Sequence, residues 1–162
     1  MPANSEASRL VHTYSDSLVR FGSSYLGSRA DAEDMCQEVL LKLVKHKGMF
    51  HDAEHERAWV FRVATNWCKN SLSSPNRRLR SSADVLDALK NTAQPEAESG
   101  PITQALSQLP DAQRSAIHLH YYEGFSASEI ATLDNTTTDA VYQRLHRARA
   151  VLRELLKEDS HA

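Results

Sequence analysis

Between Ser126 and Leu156 the chain reads SASEIATLDNTTTDAVYQRLHRARAVLRELL, a pattern that leaves few folds open. Ser126 stands three residues ahead of Glu129, the spacing at which a hydroxyl and a carboxylate satisfy the free N–H groups of a helix start. Ile130, Ala131 and Leu133 give the short helix that follows an apolar side. Asp134-Asn135 then interrupts it, because both side chains compete for backbone hydrogen bonds and Asn tolerates the left-handed conformation. Thr136 or Thr137 is placed to cap a second helix. Along that helix Val141, Leu145, Ala148, Leu152 and Leu155 recur every three or four residues and share one face. Two helices about a tight turn, the second amphipathic, predict a helix-turn-helix.

The other side of the second helix carries Tyr142, Gln143, Arg144, His146, Arg147 and Arg149. An apolar face docked on its own domain and an Arg-rich face turned outward is the layout needed to enter a DNA groove. Arg contacts phosphate or forks onto guanine, and Gln pairs with adenine. The competing reading is an ordinary amphipathic helix with a solvated basic face.

Charge is distributed unevenly along the 162 residues, although the net charge is only −2. Residues 61–82 hold five basic and no acidic side chains, whereas residues 83–112 hold one basic and five acidic. A compact basic island beside an acidic segment points to a local anion contact rather than a general nucleic-acid coat. Cys36 and Cys68 form no CxxC pair and read as reduced thiols within helices. No stretch approaches the ~20 apolar residues of a membrane span, and MPANSEASRL lacks the apolar run of a signal peptide. A soluble, cytoplasmic protein without membrane insertion is expected.

The remaining elements are also helical. Leu10, Val11, Tyr14, Leu18, Phe21, Tyr25 and Leu26 form a stripe over Ser8 to Leu26. A second helix, Ala32 to about His46, puts Glu33, Asp34, Gln37 and Glu38 on a polar side and Met35, Val39 and Leu43 on an apolar one. Gly48 to Arg57 reads as a loop; His51 and His55 lack the third ligand a metal site needs. A third helix spans Ala58 to Leu72, with Trp59 and Trp67 as core. Its Phe61, Arg62, Asn66, Lys69 and Asn70 lie where an aromatic and polar face could meet unpaired bases, with Arg77, Arg78 and Arg80 following. Residues 73–100, rich in Ser, Pro, Asn and Ala, read mostly as linker, with a short helix possible near Val85–Lys90. Beyond it, Ile102 to Leu109 and Asp111 to Tyr122 are helical, and Gly124 supplies a left-handed stop. The expected architecture is all-α: a helical domain over 1–74, a flexible linker over 75–100, and a helix-turn-helix domain over 101–162.

Taken together these stretches resemble the extracytoplasmic-function (group IV) RNA polymerase sigma factors of the sigma-70 family. RADAEDMCQEVLLKLV (Arg29–Val44) resembles the family's DAEDLxQEvFlrlw helix, which in relatives binds the coiled coil of the polymerase clamp. AWVFRVATNWCKNSL (Ala58–Leu72) is similar to the helix that melts and reads the −10 promoter element. ALSQLPDAQRSAIHLHYYEGFSASEIA with VYQRLHRARAVLRELL is similar to the module that binds the −35 element. The resemblance implies that Asp34, Gln37 and Glu38 face core RNA polymerase, with Leu40 and Leu41 beside them. It implies that Met49–Glu56 forms a pocket for a flipped −10 base and that Asn66, Lys69 and Asn70 line that strand. Thr137, Thr138, Tyr142, Gln143, Arg144, His146 and Arg147 would meet the −35 duplex. Promoter DNA, core polymerase and an anti-sigma factor are the implied partners; no cofactor, metal or catalytic centre is implied.

The chain departs from the family pattern in two places. Asp134-Asn135-Thr136 replaces an apolar-Gly-apolar turn, a loss of apolar burial expected to loosen the helix-turn-helix by ~1–3 kcal/mol. Ser71, Ser73 and Ser74 stand where relatives often carry an aromatic residue and arginines, which would weaken phosphate contacts. Two rival functions are a sigma-like protein that only sequesters an anti-sigma factor and a conventional helix-turn-helix repressor. An enzyme is disfavoured, since the chain shows no Ser/His/Asp order, metal set or Gly-rich phosphate loop.

Overall fold

The computed structural model describes residues 2–74, 81–92 and 100–160, and every regular element among them is helical. The run Arg77, Arg78 and Arg80 and much of the expected linker lie outside the described residues. In order, the helices are α1 (Pro2–Leu26), α2 (Arg29–Lys45), α3 (Ala53–Leu72), α4 (Ser82–Thr92), α5 (Pro101–Ser107), α6 (Asp111–Ile117), α7 (Ala127–Leu133) and α8 (Thr138–Ser160). A π-helical turn, His118–Tyr122, continues α6.

The first three helices pack around one core. Leu10, Tyr14, Leu18 and Phe21 of α1 meet Met35, Val39 and Leu43 of α2 and Val60, Ala64 and Cys68 of α3, all buried. Gly22 lets α1 and α2 approach: a Cβ there would lie 2.8 Å from the Ala32 Cβ. Ser28 caps α2, its side chain accepting from the Asp31 N–H at 3.2 Å. Helix α3 begins five residues earlier than the periodicity predicts, at Ala53 rather than Ala58. The Asp52 side chain accepts from the His55 N–H at 2.8 Å, and this cap winds much of the expected loop into the helix.

Within the expected linker, the 11-residue α4 is folded and packs against α1 and α5, burying Val85 and Ala88. Ser81 and Asp84 hold its start reciprocally, Asp84 N donating to Ser81 Oγ at 3.1 Å and Ser81 N to Asp84 Oδ2 at 3.2 Å.

The helix-turn-helix follows its sequence closely. Ser126 and Glu129 form the full capping box. Asn135 takes φ 53° and Gly124 takes φ 79°, the left-handed positions that end a helix. Thr137 Oγ1 accepts from the Ala140 N–H at 3.1 Å and so caps α8. Val141, Leu145 and Ala148 face inward and are buried, with Leu152 packed at the edge.

The two helical units are packed together. Arg114 of α6 is 1% exposed and donates through Nε to the Ser24 carbonyl, with NH2 3.5 Å from the Tyr25 carbonyl, near the end of α1. Those carbonyls have no partners within α1, so a buried cation satisfies both their hydrogen bonds and the helix dipole. Burial pushes the guanidinium pKa down, and Asp111, 2.6 Å away, opposes that shift. Phe61 meets Phe125 edge-on at 5.4 Å between ring centres, and Phe21 lies 5.8 Å from the His118 ring.

Candidate polymerase and nucleic-acid interfaces

Asp34, Gln37 and Glu38 lie on the exposed side of α2, opposite buried Met35, Cys36 and Val39. Three- and four-residue spacing puts them on one stripe. Leu41, 55% exposed, borders it, while Leu40 is half-buried against the core. A polar stripe flanked by an unpaired apolar side chain is an arrangement suited to a partner helix.

Between α2 and α3 the chain builds an aromatic box. The His46 ring stacks on Phe50 at 4.6 Å and meets Trp59 edge-on at 4.9 Å, and Phe50 lies 5.3 Å from the His55 ring. The open hollow beside it is lined by Leu10, Leu43, Met49, Phe50, Asp52 and Glu56 among others. Aromatic faces of this kind suit stacking on a planar base, while the Glu56 carboxylate beside them is already held by Arg9 and Tyr14. Of the expected pocket Met49–Glu56, residues from Ala53 onward belong to the first turn of α3.

Helix α3 splits its predicted residues. Asn66 and Asn70 are exposed and line one hollow with Lys42, Val63, Trp67 and Ser74. Arg62, four residues before Asn66, continues the same stripe and is exposed. Phe61 does not join them. It is 0% exposed, enclosed by Phe21 and Phe125, so in the packed chain its expected place on the nucleic-acid face is corrected to a core position. The physical reason is that the second unit covers α3 on that side. Lys69 is also drawn away, its Nζ donating to the Asp134 carbonyl at 2.9 Å.

On α8 the outward residues are Tyr142, Gln143, His146 and Arg147, all exposed, with Tyr142 at 58%. Thr137 is exposed and Thr138 half-buried at the start of the helix. Arg144 and Arg149 are already engaged. Arg144 NH1 donates to Asp134 Oδ2 at 2.5 Å; Arg149 Nε donates to Tyr121 OH at 2.7 Å, with its guanidinium 5.6 Å from that ring centre. The expectation that the Asp134 turn is loose meets a different arrangement. Asp134 is 7% exposed and ion-paired, Asn135 takes the left-handed role of the missing Gly, and Thr136 N donates to the Ala131 carbonyl at 2.9 Å. Polar ties replace the apolar burial.

Sequence reasoning overlooked Arg57, Glu123 and Arg114. Arg57 NH2 donates to Glu123 Oε1 at 3.1 Å, and Glu123 Oε2 stands 3.2 Å from His118 Nε2. Burial pushes the Glu123 carboxyl pKa up, but the partners His118 and Arg57 outweigh it and hold the group below the ordinary carboxylate value. Only the isolated acid just before Gly124 hinted at this cluster. Cys36 and Cys68 are buried and form no disulfide. Among the described residues no group of three or more His, Cys, Asp or Glu side chains is placed to hold a metal.

A helical unit with an acidic stripe and an aromatic hollow, packed on a helix-turn-helix with an outward polar helix, defines a two-part DNA-binding transcription protein. Comparison with known proteins makes the class specific. Residues 10–88 match sigma-70 region 2 and residues 99–152 match sigma-70 region 4. The ECF RNA polymerase sigma factor SigL of Mycobacterium tuberculosis is 33% identical over 153 residues, covering 87% of this chain and 83% of its own length. SigW of Bacillus subtilis, also an ECF RNA polymerase sigma factor, is 26% identical across 92% of this chain and 88% of its own. In fold, the chain is similar to the sigma factor RpoE of Bartonella quintana, solved in complex with the anti-sigma factor NepR. The TM-score is 0.61 at 24% identity, over 95% of this chain and 96% of that one.

The chain belongs to the extracytoplasmic-function sigma factors of the sigma-70 family. It is a sigma factor: it binds core RNA polymerase and promoter DNA and directs transcription initiation.

Proposed function

We propose that the first unit binds core polymerase through Asp34, Gln37 and Glu38 and reads the −10 element with α3 and the hollow before it, while α8 reads the −35 element. The observation that carries this is the single outward stripe of Tyr142, Gln143, His146 and Arg147 on a capped helix whose opposite face is buried. At the −10 element, Arg62, Asn66 and Asn70 present one polar stripe, and the His46–Phe50–Trp59 box offers a stacking surface to an extruded base. Lys69 joins the strand only after leaving Asp134. The division into units 1–74 and 101–162 is part of this proposal, with α4 in the segment between them packed on both α1 and α5.

The protein acts in the cytoplasm as a regulatory subunit with no catalytic centre of its own. No described helix is long and apolar enough to cross a membrane. The similar RpoE chain was solved bound to an anti-sigma factor, which supports a protein of that kind as this chain's antagonist as well. Footprinting of the reconstituted holoenzyme tests the assignment. Protection is expected at both promoter elements, and protection at neither would overturn it.

A further inference from the structure

One carboxylate ties together a cation from each promoter-reading element. Asp134, in the turn of the helix-turn-helix, is 7% exposed, and its Oδ2 accepts from Arg144 NH1 of α8 at 2.5 Å. From the other unit, Lys69 Nζ of α3 stands 3.4 Å from Asp134 Oδ1 and donates to the Asp134 carbonyl at 2.9 Å. Among the described residues Oδ1 is buried and accepts no hydrogen bond, and the cation that faces it across the interface is the Lys69 ammonium, while Arg144 holds the other oxygen from within the helix-turn-helix.

The arrangement conflicts with promoter binding, given the reading under Proposed function on which this inference rests. Lys69 and Arg144 share one carboxylate. Their targets, the −10 and −35 elements, are separated by about 25 base pairs, or about 85 Å of duplex at roughly 3.4 Å per step. The packed chain therefore cannot serve both elements at once, and the units must part.

We propose that Asp134 is an electrostatic latch that holds the free chain closed, its carboxylate occupying Lys69 and Arg144 in place of DNA phosphates. Opening exchanges that carboxylate for the phosphates of the promoter, so the free chain is poor at binding the −10 strand until its units are separated. The contacts Arg57–Glu123 and Arg114 with the α1 carbonyls span the same interface, whereas Asp134 takes its cations from both reading helices.

Pulsed electron paramagnetic resonance on the free full chain tests the latch, with spin labels at Ala30→Cys and Ser128→Cys. Both positions are exposed and the native cysteines are buried. A single short distance is expected for the otherwise unaltered chain. Asp134→Asn and Lys69→Gln should each lower the closed-to-open ratio by roughly tenfold, and 1 M salt should open the unaltered chain far more than either variant. Asp134→Asn also alters the turn, so Lys69→Gln, on a separate helix, gives the independent reading. An unaltered chain that is already open, or a Lys69→Gln chain as closed as the unaltered one, overturns the latch. Neither DNA nor polymerase is present, so this result stands apart from the promoter assignment. That assignment fails separately, if an opened chain in holoenzyme protects neither element.

Discussion

The Arg57 guanidinium lies 4.2 Å from the centre of the Phe125 ring, so a cation on α3 covers an aromatic residue of the helix-turn-helix unit. The same group reaches 5.2 Å from the Phe61 ring and donates to Glu123, making this the point where apolar packing and charge meet between the units.

Stability at this point should depend on pH with a defined sign. Glu123 has a lowered pKa in the folded chain, so it contributes stability above the unfolded carboxylate value of about 4.3. That contribution is lost as pH falls through the lower, folded value. Glu123→Gln should cost about 1–3 kcal/mol at pH 7 and progressively less below about pH 4. Urea denaturation of both proteins across that range measures the difference.

Phe61 separates packing from recognition. Phe61→Ala should destabilise the free protein by about 3–5 kcal/mol, since it empties a site between the Phe21 and Phe125 rings. Arg62→Ala, at the neighbouring exposed position, should leave thermal stability within ~0.5 kcal/mol and weaken binding to −10 single strands. Calorimetry and strand-binding titrations distinguish the two roles.

The polymerase face is tested by charge reversal. Asp34→Lys with Glu38→Lys, both exposed, should abolish association with core polymerase while circular dichroism stays unchanged. Unaltered affinity would remove α2 from the interface.

On α8, Gln143→Ala or Arg147→Ala should cost about 1–3 kcal/mol at particular −35 base pairs. If Arg149 leaves Tyr121 for a phosphate, Arg149→Ala should weaken all sequences alike and reduce the salt dependence. Arg144→Ala should also weaken all sequences alike, and it carries a second effect in the free chain. It leaves Asp134 with a lost partner and should lower the stability of the second unit by about 1–3 kcal/mol, measurable by thermal unfolding.

Local features were the most legible in the sequence. The Ser126–Glu129 box, the left-handed Asn135 and Gly124, and the buried stripe Val141–Leu145–Ala148 all follow from short-range spacing, and the structure contains each. Ser81 and Asp84 carried a comparable signal for α4, which the Ser- and Pro-rich composition around it obscured. Phe61, Arg57 and Lys69 were illegible for a different reason. Their environments are set by Phe125, Glu123 and Asp134, more than sixty residues away, and no helical period encodes such contacts. Sequence spacing placed a face on α3 but not the unit that covers part of it.

The most direct test of promoter selection is transcription from purified components. Core polymerase mixed with the chain should initiate at a defined start on DNA from its own genome, and base changes confined to the −35 element should abolish that start. Gln143→Ala and Arg147→Ala should alter which of those base changes are tolerated. Initiation that is absent with the chain, or indifferent to both the −35 bases and the α8 substitutions, would contradict the account.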